Sequence, residues 1–226
     1  MSPASAARAR AEWEDLAGLD PLFAVLSHPG TRDGGWDPAS FFATGEAYVR
    51  TLMARAASLG LPHGREAALD FGCGVGRLTR ALAAHFASCL GVDVSRGMIE
   101  HARRLNAGWT SCRFQPIDAA AELPASAFDL VLCKAVVQHL SGRDEQLACL
   151  TGLARALRPG GLLAVQVPSR LSWRRRLQIL PRLYRVLRGL GVEPKALYRR
   201  LGMTPIRMAA LGRADVEEAI RRGGAR

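Results

Sequence analysis

The segment Leu69-Asp70-Phe71-Gly72-Cys73-Gly74-Val75-Gly76-Arg77 indicates the fold of this chain. An apolar run ends within it and a helical pattern begins at its end, which predicts a strand, a glycine-rich turn and a helix. Ligands of open α/β sheets bind at the carboxyl ends of the strands, and glycines in such a turn let a ligand approach the backbone without meeting a Cβ atom. The stretch therefore predicts a site for a nucleotide-like ligand.

The chain around this turn alternates short apolar runs with helical patterns. We predict strands over residues 67–71, 89–93, 112–115, 128–133 and 162–167, with helices over 77–86 and after the N-cap residue Ser95. A further helix carries the stripe Leu147, Leu150, Ala154 and Leu157. Pro159-Gly160-Gly161 is predicted to end that helix and to open the fifth strand. This order predicts an α/β fold, a doubly wound and mostly parallel sheet with helices on both faces.

The spacing of the glycines narrows the choice of ligand. A dinucleotide fingerprint requires Gly-x-Gly-x-x-Gly, but three residues after Gly74 this chain has Arg77, which disfavours an NAD-dependent dehydrogenase. Gly-x-Gly-x-Gly with Asp70 two residues before it resembles the first motif of the class I S-adenosylmethionine-dependent methyltransferases. The resemblance extends over residues 36–167 and is to a bacterial subgroup of small-molecule-type enzymes. It implies S-adenosyl-L-methionine (SAM) as cofactor and in-line methyl transfer to an O, N or C atom of an acceptor.

By this resemblance the glycine turn holds the methionine end of the cofactor. The implied contacts are Asp70 and the backbone around Gly72, Gly74 and Gly76. A carboxylate suits the ammonium group of the ligand, and the helix that starts at Arg77 is expected to offer N–H groups to its carboxylate.

The ends of the next two strands are similar to the family's nucleoside site. Asp93 is implied to accept both ribose hydroxyls, and Val94 to pack near the adenine. Asp118, with the backbone N–H of Ala119, resembles the family's adenine-edge residue, although an aspartate here also suits a plain turn.

The end of the fourth strand is similar to the family's stretch beneath the sulfonium. By that resemblance Cys133 and Lys134 contribute mostly backbone. His139 follows them and is our candidate catalytic base, because its unperturbed pKa of about 6.5 suits the role; a packing histidine is the alternative. No Asn-Pro-Pro-Tyr-like run follows the strand, which disfavours the amino-methylating DNA and protein-glutamine enzymes of the family.

The chain is divided here into an N-terminal helical cap (1–62), a SAM-binding α/β core (63–169) and a basic helical appendage (170–226). The cap segment with Trp36, Phe41 and Phe42 resembles the family's mobile N-terminal cap; its aromatics either exclude water over the reacting methyl group or pack a helix onto the sheet. Five strands are predicted, without the C-terminal antiparallel hairpin that is usual in the family.

Charge is distributed unevenly along the 226 residues. Residues 1–169 contain 16 basic and 16 acidic residues, whereas residues 170–226 contain 15 basic and 4 acidic ones and so account for the whole net charge of +11. Such a field attracts anionic partners, RNA or a membrane surface, unless it reflects a compositional bias towards arginine.

Other features of the composition exclude further classes of protein. The five cysteines are spread singly, and they predict small buried residues rather than a disulfide framework or a metal site. No apolar run is long enough for a signal peptide or a membrane span, so a cytoplasmic protein is expected.

Three functions from different classes fit the sequence. In the first, the protein methylates a small molecule and residues 173–190 form a lid. In the second, it methylates RNA or acts at a lipid surface, using the arginine-rich segment. In the third, it binds the cofactor without catalysis.

Overall fold

A computed structural model describes residues 3–140, 142–173 and 177–225 of the chain. Its centre is one parallel sheet of five strands in the order β3-β2-β1-β4-β5. The strands are β1 (Ala67–Phe71), β2 (Ser88–Asp93), β3 (Cys112–Pro116), β4 (Phe128–Lys134) and β5 (Leu157–Gln166). The strand order reverses between β1 and β4, and the crevice at such a reversal is where open α/β sheets bind ligands. The predicted fold class is confirmed.

Helices surround this sheet. Three precede it: α1 (Pro3–Leu19), α2 (Pro21–Val25) and α3 (Pro38–Ser58). Three alternate with its strands: α4 (Arg77–Leu82), α5 (Arg96–Leu105) and α6 (Arg143–Arg155). Three follow it in the described part of the chain: α7 (Ile179–Gly189), α8 (Pro194–Leu201) and α9 (Arg213–Arg222). Short 3-10 turns lie at Ala120–Glu122 and Val137–His139.

The sheet separates two apolar layers because successive side chains of a strand point to opposite faces. On one face Leu69, Val131 and Cys133 pack with side chains of α6 and α9. On the other, Leu130 and Leu132 pack with side chains of α3 and α4. Both faces are therefore covered, as parallel sheets require.

A carboxylate ties together three strands at the amino-terminal edge of the sheet. Asp129 Oδ2 accepts hydrogen bonds from the N–H groups of Glu66 and Ala67, at 2.8 and 2.9 Å, and from Arg158 Nη1 at 3.0 Å. Since these partners lie at the starts of β1 and β5, Asp129 holds the register of the strands whose far ends form the ligand crevice.

The predicted element boundaries were wrong at two places. The fifth strand begins at Leu157, five residues earlier than predicted, because Pro159-Gly160-Gly161 forms an irregularity within β5 rather than its start. Gly160 has a φ of 74°, which glycine adopts readily, and its carbonyl accepts from the N–H of His63. Leu157 consequently belongs to a strand, and α6 ends at Arg155.

The predicted helix over 77–86 also ends early, at Leu82. Hydrogen bonds from Ala84 to Ala81 and from His85 to Leu82 continue the chain in tight turns, and these still bring Phe86 into the core. Phe86 is therefore buried although the helix ends four residues before it. The N-cap at Ser95 is confirmed, since its hydroxyl accepts from the N–H of Met98 at 3.0 Å.

Among residues 3–140, 142–173 and 177–225 the sheet has no antiparallel strand. This agrees with the predicted five strands without the C-terminal antiparallel hairpin that is usual in the family. All five cysteines are free thiols, and those predicted to lie on strands, Cys89, Cys112 and Cys133, do so. Within the described residues, none of the helices has the length and apolar character needed to cross a bilayer. The division at residues 62 and 169 stays a prediction.

Candidate active site

A cavity of about 430 Å³ opens at the carboxyl ends of the strands. Its floor is formed by the ends of β1, β2 and β4, and its cover by residues of α1, α2 and the segment after α8. This volume falls within the range of about 300–1,000 Å³ that is usual for small-molecule sites. The cavity lies where the reversal of strand order predicts a ligand.

Most of the site residues predicted from sequence meet in this one cavity. Those in its wall are Asp70, Gly72, Gly74, Asp93, Val94, Asp118, Lys134 and His139. Gly76, Ala119 and Cys133 are not in its wall. Their predicted contact with the cofactor therefore has no geometric support in the cavity.

Each of these three residues has another place in the structure. Gly76 is the N-cap of α4 with a φ of 83°, and a Cβ atom there would lie 2.7 Å from both Asn106 Nδ2 and Phe114 Cε1. Ala119 donates its N–H to Glu122 Oε1 at 2.8 Å, and Cys133 is fully buried in the core. The third glycine is needed for packing and backbone conformation.

Asp93 is held as an acceptor on the cavity wall. Its Oδ2 accepts from the N–H of Gly74 at 2.9 Å and its Oδ1 from the N–H of Ser95 at 3.0 Å. Burial raises the pKa of this carboxyl group, while the bonds from Ser95 and Gly74 act in the opposite direction. One carboxylate therefore fixes the glycine turn relative to the end of β2 and keeps lone pairs for a ligand.

Protein side chains pack closely against the glycine turn, whereas the sequence predicted only a ligand there. Gly72 and Gly74 have φ values of 75° and 53°, and a Cβ atom would overlap Val136 at the first and Val25 at the second. The N–H of Gly72 donates to Val92, so that this donor is used within the chain. The glycines are required partly because protein side chains, not only a ligand, lie against the turn.

Four titratable side chains meet beside this turn, and two of them are cations in the cavity wall. Arg77 is 5% exposed, its Nη1 donates to Thr44 Oγ1 at 3.1 Å, and its Nε has no hydrogen-bond partner among the described residues. Lys134 Nζ lies 4.7 Å from the ring centroid of Tyr48. Burial lowers the pKa of both cations, Arg77 lowers that of Lys134 further, and Asp70 opposes both shifts.

Asp70 provides the negative charge of this group. It is 2% exposed, and Thr79 Oγ1 donates to its Oδ2 at 2.7 Å. Burial raises the pKa of Asp70 to about 6, against the effects of Thr79 and Arg77. At neutral pH the group Tyr48, Asp70, Arg77 and Lys134 therefore has two positive charges and one negative charge, which suits an anionic ligand group.

We expect Asp70 to make the protein less stable as the pH rises from about 4 to about 6. Because its pKa is higher in the folded protein than the ordinary 3.8, the folded state binds more protons in this interval, and the free energy of unfolding falls with rising pH. Asp70→Asn removes this titration and keeps an acceptor for Thr79. Denaturant unfolding of both proteins should show wild type losing stability relative to the variant across the interval.

Asp215→Asn is the matched control for that measurement. The bond from Arg143 lowers the pKa of Asp215, so its contribution is lost as the pH falls, which is the opposite direction. A difference between wild type and Asp70→Asn that does not change between pH 4 and 6 would contradict the raised pKa.

His139 is held as a neutral imidazole. Its Nδ1 donates to the carbonyl of Arg207 at 2.6 Å, which leaves Nε2 as the basic nitrogen, 3.3 Å from Gln138 Nε2. Burial lowers the pKa of the ring, and the Arg207 bond only partly offsets this. The edge of Trp13 packs against it with ring centroids 5.5 Å apart. This geometry is compatible with a base and equally with a packing residue.

The N-terminal cover of the cavity comes from a different segment than predicted. Trp13 of α1 and residues 24–27 line the cavity, whereas Trp36, Phe41 and Phe42 do not. Phe41 and Phe42 are buried in the cluster that joins α3 to Val75. Two roles were predicted for these aromatic residues, exclusion of water over the methyl group or packing of a helix. The structure agrees with packing.

Helix α1 is fixed over the site by its acidic side chains. Glu14 accepts from the N–H groups of Arg96 and Gly97, at 2.6 and 2.9 Å, and from Ser95 Oγ, and so completes the cap of α5. Arg10 pairs with Asp118. These contacts were not predicted from the sequence, because no local spacing links residues 10–14 to partners more than 80 positions away.

The cavity cation Arg77 was also not predicted. Its one signal in the sequence is a charged side chain directly after the glycine turn.

Comparison with known proteins agrees with this geometry. The profile of a family described as "Methyltransferase domain" matches residues 69–165, from within β1 to within β5. Trans-aconitate 2-methyltransferase of Methylobacterium nodulans is 37% identical over 142 residues, 61% of this chain and 51% of that protein. These matches support the resemblance of residues 69–165 to the class I S-adenosylmethionine-dependent methyltransferases. The chain spans about half the length of the curated relatives it matches.

Two further methyltransferases match the chain, one in sequence and one in fold. The trans-aconitate 2-methyltransferase of Streptomyces avermitilis is 34% identical over 143 residues, 59% of this chain and 51% of its own. Magnesium protoporphyrin IX methyltransferase of Synechocystis, solved with bound S-adenosylhomocysteine (SAH), superposes with a TM-score of 0.60, 21% identity and 97% and 89% of the two chains covered. At that identity, the structural match shows a shared methyltransferase fold.

Proposed function

We propose that this protein transfers the methyl group of SAM to a carboxylate oxygen of a small acidic molecule. The observation that carries the proposal is one cavity whose wall combines the Asp93 carboxylate and the glycine turn with two buried or half-buried cations, Arg77 and Lys134. Asp93 and the glycine turn suit a nucleoside, and the two cations suit an anion. A methyl ester of the acceptor and SAH are the expected products.

The residues present fit the cofactor. Asp93 and Val94 line the cavity side by side, so a carboxylate suited to ribose hydroxyls lies next to an apolar contact for a base. Hydrogen bonds to a charged group contribute roughly 1.5–3 kcal/mol each. When bound, SAM supplies a sulfonium methyl carbon that is open to in-line attack.

The protein's own contribution to such a reaction is alignment and charge. Methyl transfer needs a nucleophile held in line with the methyl carbon, and positioning of this kind contributes up to about 7–11 kcal/mol. Arg77 and Lys134 provide charge-assisted donors for an acceptor carboxylate, and the apolar residues Ile206, Met208 and Trp13 exclude water around it. A carboxylate is already ionised at neutral pH, so this reaction needs no general base.

The named relatives favour the same acceptor chemistry. The matched proteins of Methylobacterium nodulans and Streptomyces avermitilis are trans-aconitate 2-methyltransferases, and trans-aconitate is a small polycarboxylate. We therefore propose trans-aconitate, or an acid of the same kind, as the acceptor. The predicted anionic macromolecule as acceptor has no support from these relatives.

Incubation with methyl-deuterated SAM and a panel of acceptors tests the function. The panel contains trans-aconitate, its monocarboxylate and neutral ester analogues, a catechol and a primary amine. Mass spectrometry should find the label as an ester of the polycarboxylate, with much less on the monocarboxylate. Transfer only to the catechol or the amine would contradict a carboxylate acceptor, and SAM binding without any transfer would favour a non-catalytic protein.

We expect His139→Gln to change kcat for a carboxylate acceptor by less than about fivefold, because no proton has to be removed. General-base catalysis typically contributes 10²–10⁴-fold, so a loss in that range would instead show that His139 removes a proton from the acceptor. Steady-state rates at saturating SAM, between pH 6 and 9, separate the two. The same variant with a hydroxyl acceptor gives the comparison.

A further inference from the structure

Helix α7 presents an apolar row to solvent. Five large side chains along it have 40–75% of their surface exposed: Ile179, Leu180, Leu183, Val186 and, at its C-cap, Leu190. At 100° per residue, Ile179, Leu183, Val186 and Leu190 fall within about 60° of one another, so they form one stripe. Before the helix, Trp173 and Leu177 are also exposed, at 66% and 46%.

The opposite side of the same helix is directed to the protein body. Arg185 Nε lies 3.4 Å from Glu12 Oε1 and Arg188 Nε 3.5 Å from Asp15 Oδ2. Tyr184 is buried, and its hydroxyl donates to Asp15 Oδ2 at 3.5 Å. The charged side of α7 thus contacts the acidic side of α1, and its apolar stripe is the side left without a protein partner in the described part of the chain.

The segment around the stripe is strongly basic. Residues 170–190 contain seven arginines and no acidic residue. Arg182 is exposed and lies on the helix next to the stripe, three residues after Ile179 and four before Val186. An exposed apolar row bordered by arginine is the pattern of helices that lie in a lipid interface.

We propose that α7 docks on the surface of an anionic lipid bilayer. The aliphatic stripe enters the boundary between head groups and acyl chains, while the exposed side chains of Arg182 and Arg170 contact lipid phosphates. Burial of the stripe and attraction of the arginines to anionic lipid both favour this state. The proposal is independent of the acceptor proposed above.

Two other occupants fit the surface less well. A second copy of the chain would place two sets of arginines against each other across a symmetric interface, where like charges repel. Single-stranded RNA would be attracted by the arginines, but its bases stack on aromatic rings rather than on Ile179, Leu183 or Val186. A membrane matches both the charge and the aliphatic character.

The helix is also attached to the cavity. Gln178 Nε2, at the N-cap of α7, donates to the carbonyl of Met208 at 2.9 Å, and Met208 lines the cavity. Arg207, next to it, accepts the bond from His139. Docking of α7 would therefore hold the active-site cavity close to the lipid surface.

Vesicle flotation of the full chain tests the proposal. Wild type should float with vesicles of phosphatidylcholine and phosphatidylglycerol, should stay behind with phosphatidylcholine alone, and should be released by high salt. The variant Leu183→Ser, Val186→Ser, Leu190→Ser should lose at least about tenfold in partitioning, because it removes three of the four apolar side chains of the stripe. Arg182→Glu should lose several-fold on anionic vesicles only.

Leu59→Ser is the matched control, because Leu59 is 63% exposed at the end of α3, outside the basic segment. All substituted side chains are exposed, so thermal unfolding should match wild type. Absence of flotation by wild type, or equal flotation by the triple variant, would overturn the proposal. So would a dimer in light scattering that the triple variant converts to a monomer, or RNA binding in its place.

Discussion

Asp93→Ala should weaken the binding of SAM and SAH about tenfold to a hundredfold. The carboxylate is proposed to accept the ribose hydroxyls, and the loss of hydrogen bonds to a charged group corresponds to roughly 1.5–3 kcal/mol. The substitution also leaves the N–H groups of Gly74 and Ser95 without their acceptor, so the glycine turn loses its tie to β2. Equilibrium dialysis with labelled cofactor measures the change.

Two further variants make that result specific. Asp93→Asn keeps the size of the side chain and one acceptor oxygen, so it should retain the fold but still lose several-fold in affinity. Asp144→Ala removes an exposed aspartate in the first turn of α6 and should bind as wild type does. If both Asp93 variants bind SAH like wild type, Asp93 is a helix-terminal acid without a role in the cofactor site.

Lys134→Met should raise the KM for a polycarboxylate acceptor by about ten- to hundredfold and change kcat little. The ammonium group is half-buried in the cavity wall, and a charge-assisted hydrogen bond from it contributes roughly 1.5–3 kcal/mol. Methionine retains the apolar length of the side chain over Tyr48. Steady-state kinetics with trans-aconitate at saturating SAM provide the measurement.

The chain contains its own control for this prediction, because it has only two lysines. Lys195 is exposed on α8 and is not in the cavity wall, so Lys195→Met should leave both KM values unchanged. A rise in the KM for SAM alone, with the acceptor KM unchanged, would mean that Lys134 holds the methionine carboxylate of the cofactor rather than the acceptor.

The parts of the fold that were predictable from the sequence are those governed by local patterns. Periodic apolar residues located all five strands, and the three glycines located the turn at the end of β1, because backbone conformation there depends on residue type. Predictions were wrong where a local signal had two structural outcomes: Pro159-Gly160-Gly161 forms an irregularity within a strand as readily as it ends a helix.

The sequence predicted those residues of the candidate site that lie at or near the ends of strands. Asp70, Asp93 and Lys134 end neighbouring strands of one parallel sheet, so topology alone brings them together. The cover of the cavity was not predictable, because it depends on contacts between distant segments. Trp13 against His139 and Glu14 on the start of α5 are such contacts, and nothing in their local sequence encodes the partner.

Calorimetric titration of wild-type protein with SAH, and with NADH for comparison, tests whether this cavity binds SAM. The geometry of Asp93 and the glycine turn predicts micromolar binding of SAH at one site per chain and no binding of NADH. Binding of NADH, or a folded protein that binds neither ligand, would contradict the assignment of this cavity to SAM.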